Sequence, residues 1–467
     1  MLGTADLRTR FAARLAELYG SEVPAYNTLV EVARAVNTEV LRTGRAQAER
    51  LGSIDRVSAE RHGAIRVGSP RELAQLARVF AAFGMYPVGF YDLREGIGKG
   101  VPVVSTAFRP IDGDELATNP FRVFTSMLTV DDARFFDVDT RRRLDTFIES
   151  RRLFSPELLA LAEQATDQGG LCAEKAEDLL EHATNAFRLS AEPVDKAWHN
   201  QLSAISSVAA DIAGTRSTHI NHLTPRVLDI DELYRRMQDQ GIQMIEQIQG
   251  PPSWAGPDVL LRQTSFKALA ERRMFRLPDG RSEPGSLRVR FGEVEQRGIA
   301  LTARGLQRYE NAMRLIARRV AEGPHPADQP ALARAVWRES FPDSELGLAL
   351  GGLGWFSYRV GDIGDRSGCS ARPTLSDLIA SGVLLPEPIV YEDFLPRSAA
   401  GIFQSNLTAS GRRADHLTAS HYDRERLSGI LDRAVMEPMN LYRGQQDASL
   451  RAASSILGFD IFNDLTE

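Results

Sequence analysis

The spacing of apolar residues changes period several times along the chain, and those changes divide it. Between residues 4 and about 48, Leu7, Phe11 and Leu15, then Leu29, Val32, Ala35 and Val36, recur every three or four positions, the period of helices that bury one face. Gly20 and Pro24 punctuate the run, so two helices are predicted. From Arg61 the pattern becomes a short strand (HGAIRV) and then a helix (PRELAQLARVFAAF) opened by Ser69 as N-cap and Pro70 at its first position. Gly84 stops the helix, and the extended runs YPVGFYDL, VPVVSTAFRP and PFRVFTSMLTV follow. The unit reads β-α-β-β-β.

Helical character returns over residues 131–212. The stretch STHINHLTPRVLDIDELYRRMQDQGIQMIEQ then repeats the order strand, helix, glycine stop, strand, and is completed by DVLLRQTSFKAL and SLRVRFGEVEQRGIAL. His62 to Gly84 spans 84 − 62 = 22 positions, and His219 to Gly241 spans 241 − 219 = 22. A module present twice decides architecture before other signals do. The expectation is an α+β fold of two βαβββ modules whose sheets pair around a cleft, wrapped by N-terminal, inserted and C-terminal helices. The expected divisions are 1–60, 61–130, 131–212, 213–302 and 303–467, with a pocket-lining segment near 391–407.

Composition narrows the function. The 467 residues carry 56 Lys and Arg against 62 Asp and Glu, a net charge of −6. Nucleic acid and anionic membrane both reward a basic excess, so neither is expected as a partner. No window approaches the roughly 20 apolar residues that cross a bilayer, and the charged N-terminus lacks a signal peptide's apolar core. Cys172 and Cys369 are far apart and outside any CxxC pattern, which predicts no disulfide scaffold. A cytoplasmic protein is expected.

Eight histidines must supply any imidazole chemistry. His62 and Arg66 share one face of the first strand, about 13 Å apart at roughly 3.3 Å per residue, so a metal ligand and an anion anchor could hold opposite ends of a small substrate. In HINH, three positions separate His219 from His222, which puts them on opposite strand faces. The repeat arithmetic favours His219, and a slightly longer strand allows His222. Glu293 and Glu295 share a face of RFGEVEQRG, where a buried carboxylate needs a cation or a metal. One of them is expected to pair with Arg297 or Arg290. Two histidines and one carboxylate form the facial set typical of non-haem iron(II), although composition alone does not choose the metal. GIGKG at 96–100 leads into a strand rather than a helix and reads as a hairpin turn, not a phosphate loop. His182, His199, His325, His416 and His421 have no ligand-like companions and are assigned no role.

The blocks RHGAIRVGS, GMYPVGFYDL, VPVVSTAFRP, FRVFTSML, HINHLTPRVLDID, LLRQTSFKAL, RFGEVEQRGIALT and YEDFLPRSAAGIFQSNL occur in one order. Together they resemble the 2-oxoadipate dioxygenase/decarboxylase family, related to the vicinal oxygen chelate superfamily. The resemblance implies an iron(II) enzyme that converts 2-oxoadipate and dioxygen to 2-hydroxyglutarate and carbon dioxide in bacterial lysine catabolism. It puts the metal ligands on His62, His222 and Glu293, choosing His222 over His219. It makes Arg66 the clamp for the distal carboxylate of a 2-oxo dicarboxylic acid and Ser398 a substrate contact. Arg397 stands where a relative carries valine, a departure that bears on chain-length selectivity. Two other readings compete: a glyoxalase-like metal-dependent isomerase or lyase, which commonly uses four protein ligands, and a non-catalytic small-molecule-binding module.

Overall fold

The fold is taken from a computed structural model that describes residues 1–95, 100–287, 290–323, 325, 328–361, 373–395, 413–414 and 416–465. Its centre is a sheet built by the two modules. The first contributes β1 (Arg61–Val67), β2 (Tyr86–Asp92), β3 (Val103–Arg109) and β4 (Arg122–Leu128), with the helix Pro70–Ala81 between β1 and β2. The second contributes β5 (Ile220–Pro225), the helix Ile230–Asp239, β6 (Leu261–Ser265) and β7 (Glu293–Arg297). The hydrogen-bonded order β2-β3-β4-β1-β5 joins the modules through antiparallel pairing of β1 with β5. Beyond β5, a parallel bridge between Arg226 and Glu295 leads to β7, which pairs antiparallel with β6. Bridges from Met244 and Gln249 to Phe266 and Gln263 extend the far edge. The two halves thus repeat one arrangement on either side of the β1–β5 seam, the pairing of two modules expected from the repeat.

Local chemistry explains the two equivalent helices. Ser69 Oγ accepts from Glu72 N at 3.3 Å and Asp229 Oδ1 accepts from Glu232 N at 2.9 Å, each satisfying a donor that the first helical turn leaves open. Gly84 and Gly241, at φ of 64° and 75°, make the turn out of each helix. At the seam, a Cβ on Gly63 would lie 2.9 Å from Ile220 Cδ1, so the glycine lets the two central strands approach.

β1, β4 and β5 are buried on both faces. One face packs on the helices Thr4–Glu22 and Pro24–Ala48 through a core in which Phe11 stacks on Phe83 with ring centroids 4.3 Å apart. Tyr19 also donates to the carbonyls of Asn221 at 3.1 Å and Phe291 at 2.9 Å, tying the N-terminal helix to β5 and to the approach of β7. On the other face, Phe124 and Leu128 join Trp198, Leu202 and Phe394 in a smaller core that brings in the inserted helices. Trp337, Phe356 and Tyr442 belong to a third core at the C-terminal end.

The described strands also differ from the sequence reading: Phe356–Val360 pairs antiparallel with Leu384–Pro388 in the region expected to be helical, and a further hairpin stands in the second module. Residues 271–276 and 282–287 form an antiparallel hairpin inside the second module, with Phe275 and Arg276 bridging in parallel to Val194 and Asp195 of the insert. Alternating exposed positions such as Arg272, Met274 and Arg276 carry little of the apolar continuity that marks the buried strands. The extended runs read from the sequence, 258–269 and 286–301, therefore leave residues 271–276 without a strand.

Candidate active site

Register places the chemistry around the seam. His62 on β1 lies beside Arg122 on one side and Thr224 on the other, and Ala64 lies opposite His222, a small residue that leaves room for the imidazole. Glu293 opens β7, next along the curved sheet. The three side chains converge: Glu293 Oε2 is 3.4 Å from His62 Nε2 and Glu293 Oε1 is 3.5 Å from His222 Nε2, with all donor atoms within 4.8 Å of one another. Each residue is at most 6% exposed. Among the described residues this is the one cluster of three or more His, Cys, Asp or Glu that could hold a metal ion. Nitrogen and oxygen donors bind such an ion from about 2.0–2.2 Å, and neighbouring donors 3.4–3.5 Å apart leave room for it between them. The two imidazoles and one carboxylate thus fit a divalent metal of the kind a facial set takes.

His219 lies elsewhere. His222 stands 241 − 222 = 19 positions before Gly241, three fewer than the 22 from His62 to Gly84, and part of the difference is the shorter helix of the second module, 10 residues in Ile230–Asp239 against 12 in Pro70–Ala81. His219 points away into a buried group in which its Nε2 is 3.1 Å from Asn221 Nδ2 and 3.4 Å from Asp211 Oδ1. Counting positions from the glycine stop takes the two helices as equal in length and therefore favours His219, which is not in the cluster.

Arg66 sits four residues along β1 from His62 and is 3% exposed. Its Nη1 forms an ion pair with the buried Asp211, which Asn221 Nδ2 also contacts at 2.9 Å. Asp211 comes from the helix Ser207–Ala213 of the insert, and no motif in the sequence marked it. Between the cluster and Arg66 the face is lined by Phe124, by Ser105 and Ser126, whose hydroxyl oxygens are 2.8 Å apart, and by Phe394, whose ring meets His62 edge-on at 5.0 Å. Ser398 and Arg397, like residues 96–99, where a hairpin turn is expected, and Cys369, lie outside the described residues.

Behind the cluster stands a buried charge lattice. Glu295 Oε2 is 3.0 Å from His62 Nδ1, and the same carboxylate accepts from Arg297 at 2.7 and 3.0 Å. The expected pairing of one glutamate with Arg297 is found at Glu295, whereas Arg290 pairs with Glu22 and Glu271. Arg122, opposite His62 in register, bonds Glu60 at 2.9 Å and pairs with Glu392, and Glu60 also accepts from Arg226 at 2.8 Å. Glu60 is fully buried among Arg122, Arg226, Arg56 and Arg297, and its pKa is held well below the usual carboxylate range because these cations outweigh the cost of burial. Replacing it with alanine leaves them uncompensated. Glu60→Ala is expected to lose about 3–5 kcal/mol of stability, read as a lower midpoint in urea unfolding; an unchanged midpoint would show that the lattice does not stabilise the fold.

The two histidines differ in electrostatic setting. Burial depresses His222 to about 4, so it is neutral and ready to donate a lone pair at neutral pH. Burial also works against a charged His62, but Glu295 and Glu293 outweigh it and the net shift is upward. Burial would raise Asp211, yet His219 and Arg66 hold it below its ordinary value, as a carboxylate suited to fixing a guanidinium. The last strand of the first module places Arg122 beside His62 and carries no carboxylate or imidazole.

Sequence comparison decides the family. Residues 11–406 match the model of the family 2-oxoadipate dioxygenase/decarboxylase. The chain belongs to this family. The 2-oxoadipate dioxygenase/decarboxylase of Mycobacterium tuberculosis strain H37Rv is 54% identical to it over 94% of the chain and 96% of that relative. The protein of the same name from Escherichia coli K12 is 40% identical over 96% and 98%. Among solved structures, the hydroxyglutarate synthase of Pseudomonas putida in complex with 2-oxoadipate superposes with a TM-score of 0.83 at 38% identity, covering 98% of this chain and 99% of that one. The 2-oxoadipate dioxygenase/decarboxylase family to which the chain belongs is one of enzymes, and its likeness to these relatives runs through both modules and the helices around them. No helix among the described residues is long and apolar enough to cross a membrane.

Proposed function

We propose that the protein is an iron(II)-dependent dioxygenase that converts 2-oxoadipate and dioxygen to 2-hydroxyglutarate and carbon dioxide, with a place in bacterial lysine catabolism. The observation that carries the reading is the buried set His62, His222 and Glu293 on the same sheet face as the buried cation Arg66, in a chain of this family. His62, His222 and Glu293 would hold the metal. Ferrous iron there supplies a redox-active Lewis acid with positions open to small ligands, chemistry that side chains lack.

The remaining work falls to the protein. Arg66 clamps the distal carboxylate of the substrate, which sets chain length by its distance from the metal ligands. Asp211 orients the guanidinium, and Asn221 and His219 hold Asp211 in turn. Glu295 fixes the ring of His62 from its Nδ1 side, so that Nε2 faces the cluster. Phe394 and Phe124 give the cavity a dry wall, which keeps water from a reactive centre.

The reaction balances: 2-oxoadipate loses C1 as carbon dioxide, C2 becomes a carboxylate with one oxygen atom of O2, and the adjacent carbon gains a hydroxyl with the other. Metal-free protein incubated aerobically with 2-oxoadipate should form no 2-hydroxyglutarate by chromatography. Addition of ferrous iron should restore product, whereas zinc should not. Product formed equally with zinc, or an isomer of 2-oxoadipate in its place, would favour the glyoxalase-like reading instead.

A further inference from the structure

A cavity of about 650 Å³ opens between the insert and the hairpin 271–287, with neither Arg66 nor a residue of the metal cluster in its lining. Its volume lies in the range of small-ligand sites. His219 is part of its wall and also touches Asp211, so the cavity and the substrate anchor lie one side chain apart.

The cavity is lined with cation. Arg216, Arg273 and Arg276 face it, and none of them forms an ion pair among the described residues. Arg273 is half-buried, with Nη1 donating to the carbonyl of Ser190 at 3.1 Å and a buried Nε that has no hydrogen-bond partner. Desolvating a guanidinium is costly unless an anion compensates it. Arg216 lies over the ring of Phe147, 5.8 Å from its centroid, which restrains the side chain without neutralising it. The acidic groups on the wall are largely engaged: Asp139 pairs with Arg142, and Asp195 accepts from Trp198 N at 2.8 Å. Glu192 also lines the cavity. Trp198 and Phe147 add apolar surface, so the site combines a few charged groups with aromatic walls.

We propose that this cavity is a second anion site that takes a small oxyanion with two charges, a dicarboxylate or a phosphate, held by Arg216, Arg273 and Arg276. It is separate from the substrate clamp and rests on the functional reading only in treating Arg66 as that clamp. Planar guanidinium forks match carboxylate and phosphate oxygens alike.

Calorimetric titration of the metal-free full-length protein tests it, with glutarate, a dicarboxylate that lacks the keto oxygen needed to chelate a metal, and with inorganic phosphate as separate probes. Arg66→Ala should retain a site for at least one probe. Arg216→Gln/Arg276→Gln, two substitutions at exposed positions that leave the cores intact, should weaken that binding roughly tenfold or more while leaving turnover of 2-oxoadipate in the absence of probe unchanged. Arg273→Gln should weaken it as well. Glutarate binding without phosphate binding assigns a dicarboxylate, and the converse assigns a phosphate group. The proposal is overturned if Arg66→Ala abolishes all binding of both probes, or if the double variant binds them as the wild type does. The clamp assignment is judged separately, by the effect of Arg66 variants on turnover.

Discussion

His222→Ala should abolish iron binding of useful strength and, with it, turnover. The buried cluster has three donors, and removing one leaves His62 and Glu293, whose carboxylate must then satisfy any ion almost alone. Outer partners of metal ligands typically change affinity by roughly 10–100-fold, so loss of a direct ligand is expected to exceed about 100-fold. His222 is also the better test of the two histidines. His62 is tied to Glu295 and, through it, to the charge lattice, so that its replacement disturbs Arg297 and Arg122 as well. His222 makes one side-chain contact of that kind, Nδ1 to Thr224 Oγ1 at 3.2 Å, and its ring stacks on Phe291 at 5.5 Å. The parallel variant His219→Ala should retain iron. Metal analysis after equilibration with ferrous iron under anaerobic conditions separates them; iron retained by His222→Ala and lost by His219→Ala would reverse the assignment.

The second large effect is expected at Arg66. A charge-assisted hydrogen-bonded contact is worth about 1.5–3 kcal/mol net, so Arg66→Ala should raise KM for 2-oxoadipate by roughly 10- to 150-fold, with iron content unchanged. The alanine variant also strands the carboxylate of Asp211, which is 6% exposed. Lower stability must therefore be separated from lost recognition. Arg66→Lys does so by keeping the charge while removing the planar fork. It should remain folded and still bind the substrate more weakly than the wild type. A 2-oxo acid of equal length without the distal carboxylate gives the matching control, since the Arg66 variants should handle it about as well as the wild type does. If Arg66→Ala turned over 2-oxoadipate with an unchanged KM, the clamp would have to lie elsewhere.

How far the sequence announced this site varies residue by residue. The repeated module was legible because buried central strands must be apolar and helix ends must be capped, and both requirements leave marks such as Ser69-Pro70, Gly84 and Gly241. His62 and Arg66 were legible as a pair because a strand has a period of two. The choice between His219 and His222 was not, since it depends on the shorter helix of the second module and on the register of β5 against β1, and register follows from pairing with a partner strand rather than from local composition. Asp211 was invisible for a different reason: it belongs to a helix of the insert, 145 positions from Arg66, and only the folded chain brings the two together. Glu60 and Arg122 carried no mark in the sequence for the same reason. Their burial follows from mutual compensation, which no single segment encodes. Glu295 lay between these extremes, because its face and a pairing with a nearby arginine were readable and its contact with His62 was not.

The central claim is that the protein uses iron and dioxygen on 2-oxoadipate. Turnover of the ferrous protein under ¹⁸O₂ measures it most directly, with oxygen uptake followed by electrode and the product by mass spectrometry. One dioxygen should be consumed for each carbon dioxide released, and 2-hydroxyglutarate should carry two labelled atoms, one in its hydroxyl and one in the carboxylate formed from the keto carbon. Release of carbon dioxide without oxygen uptake, or a product that carries no label, would contradict the account.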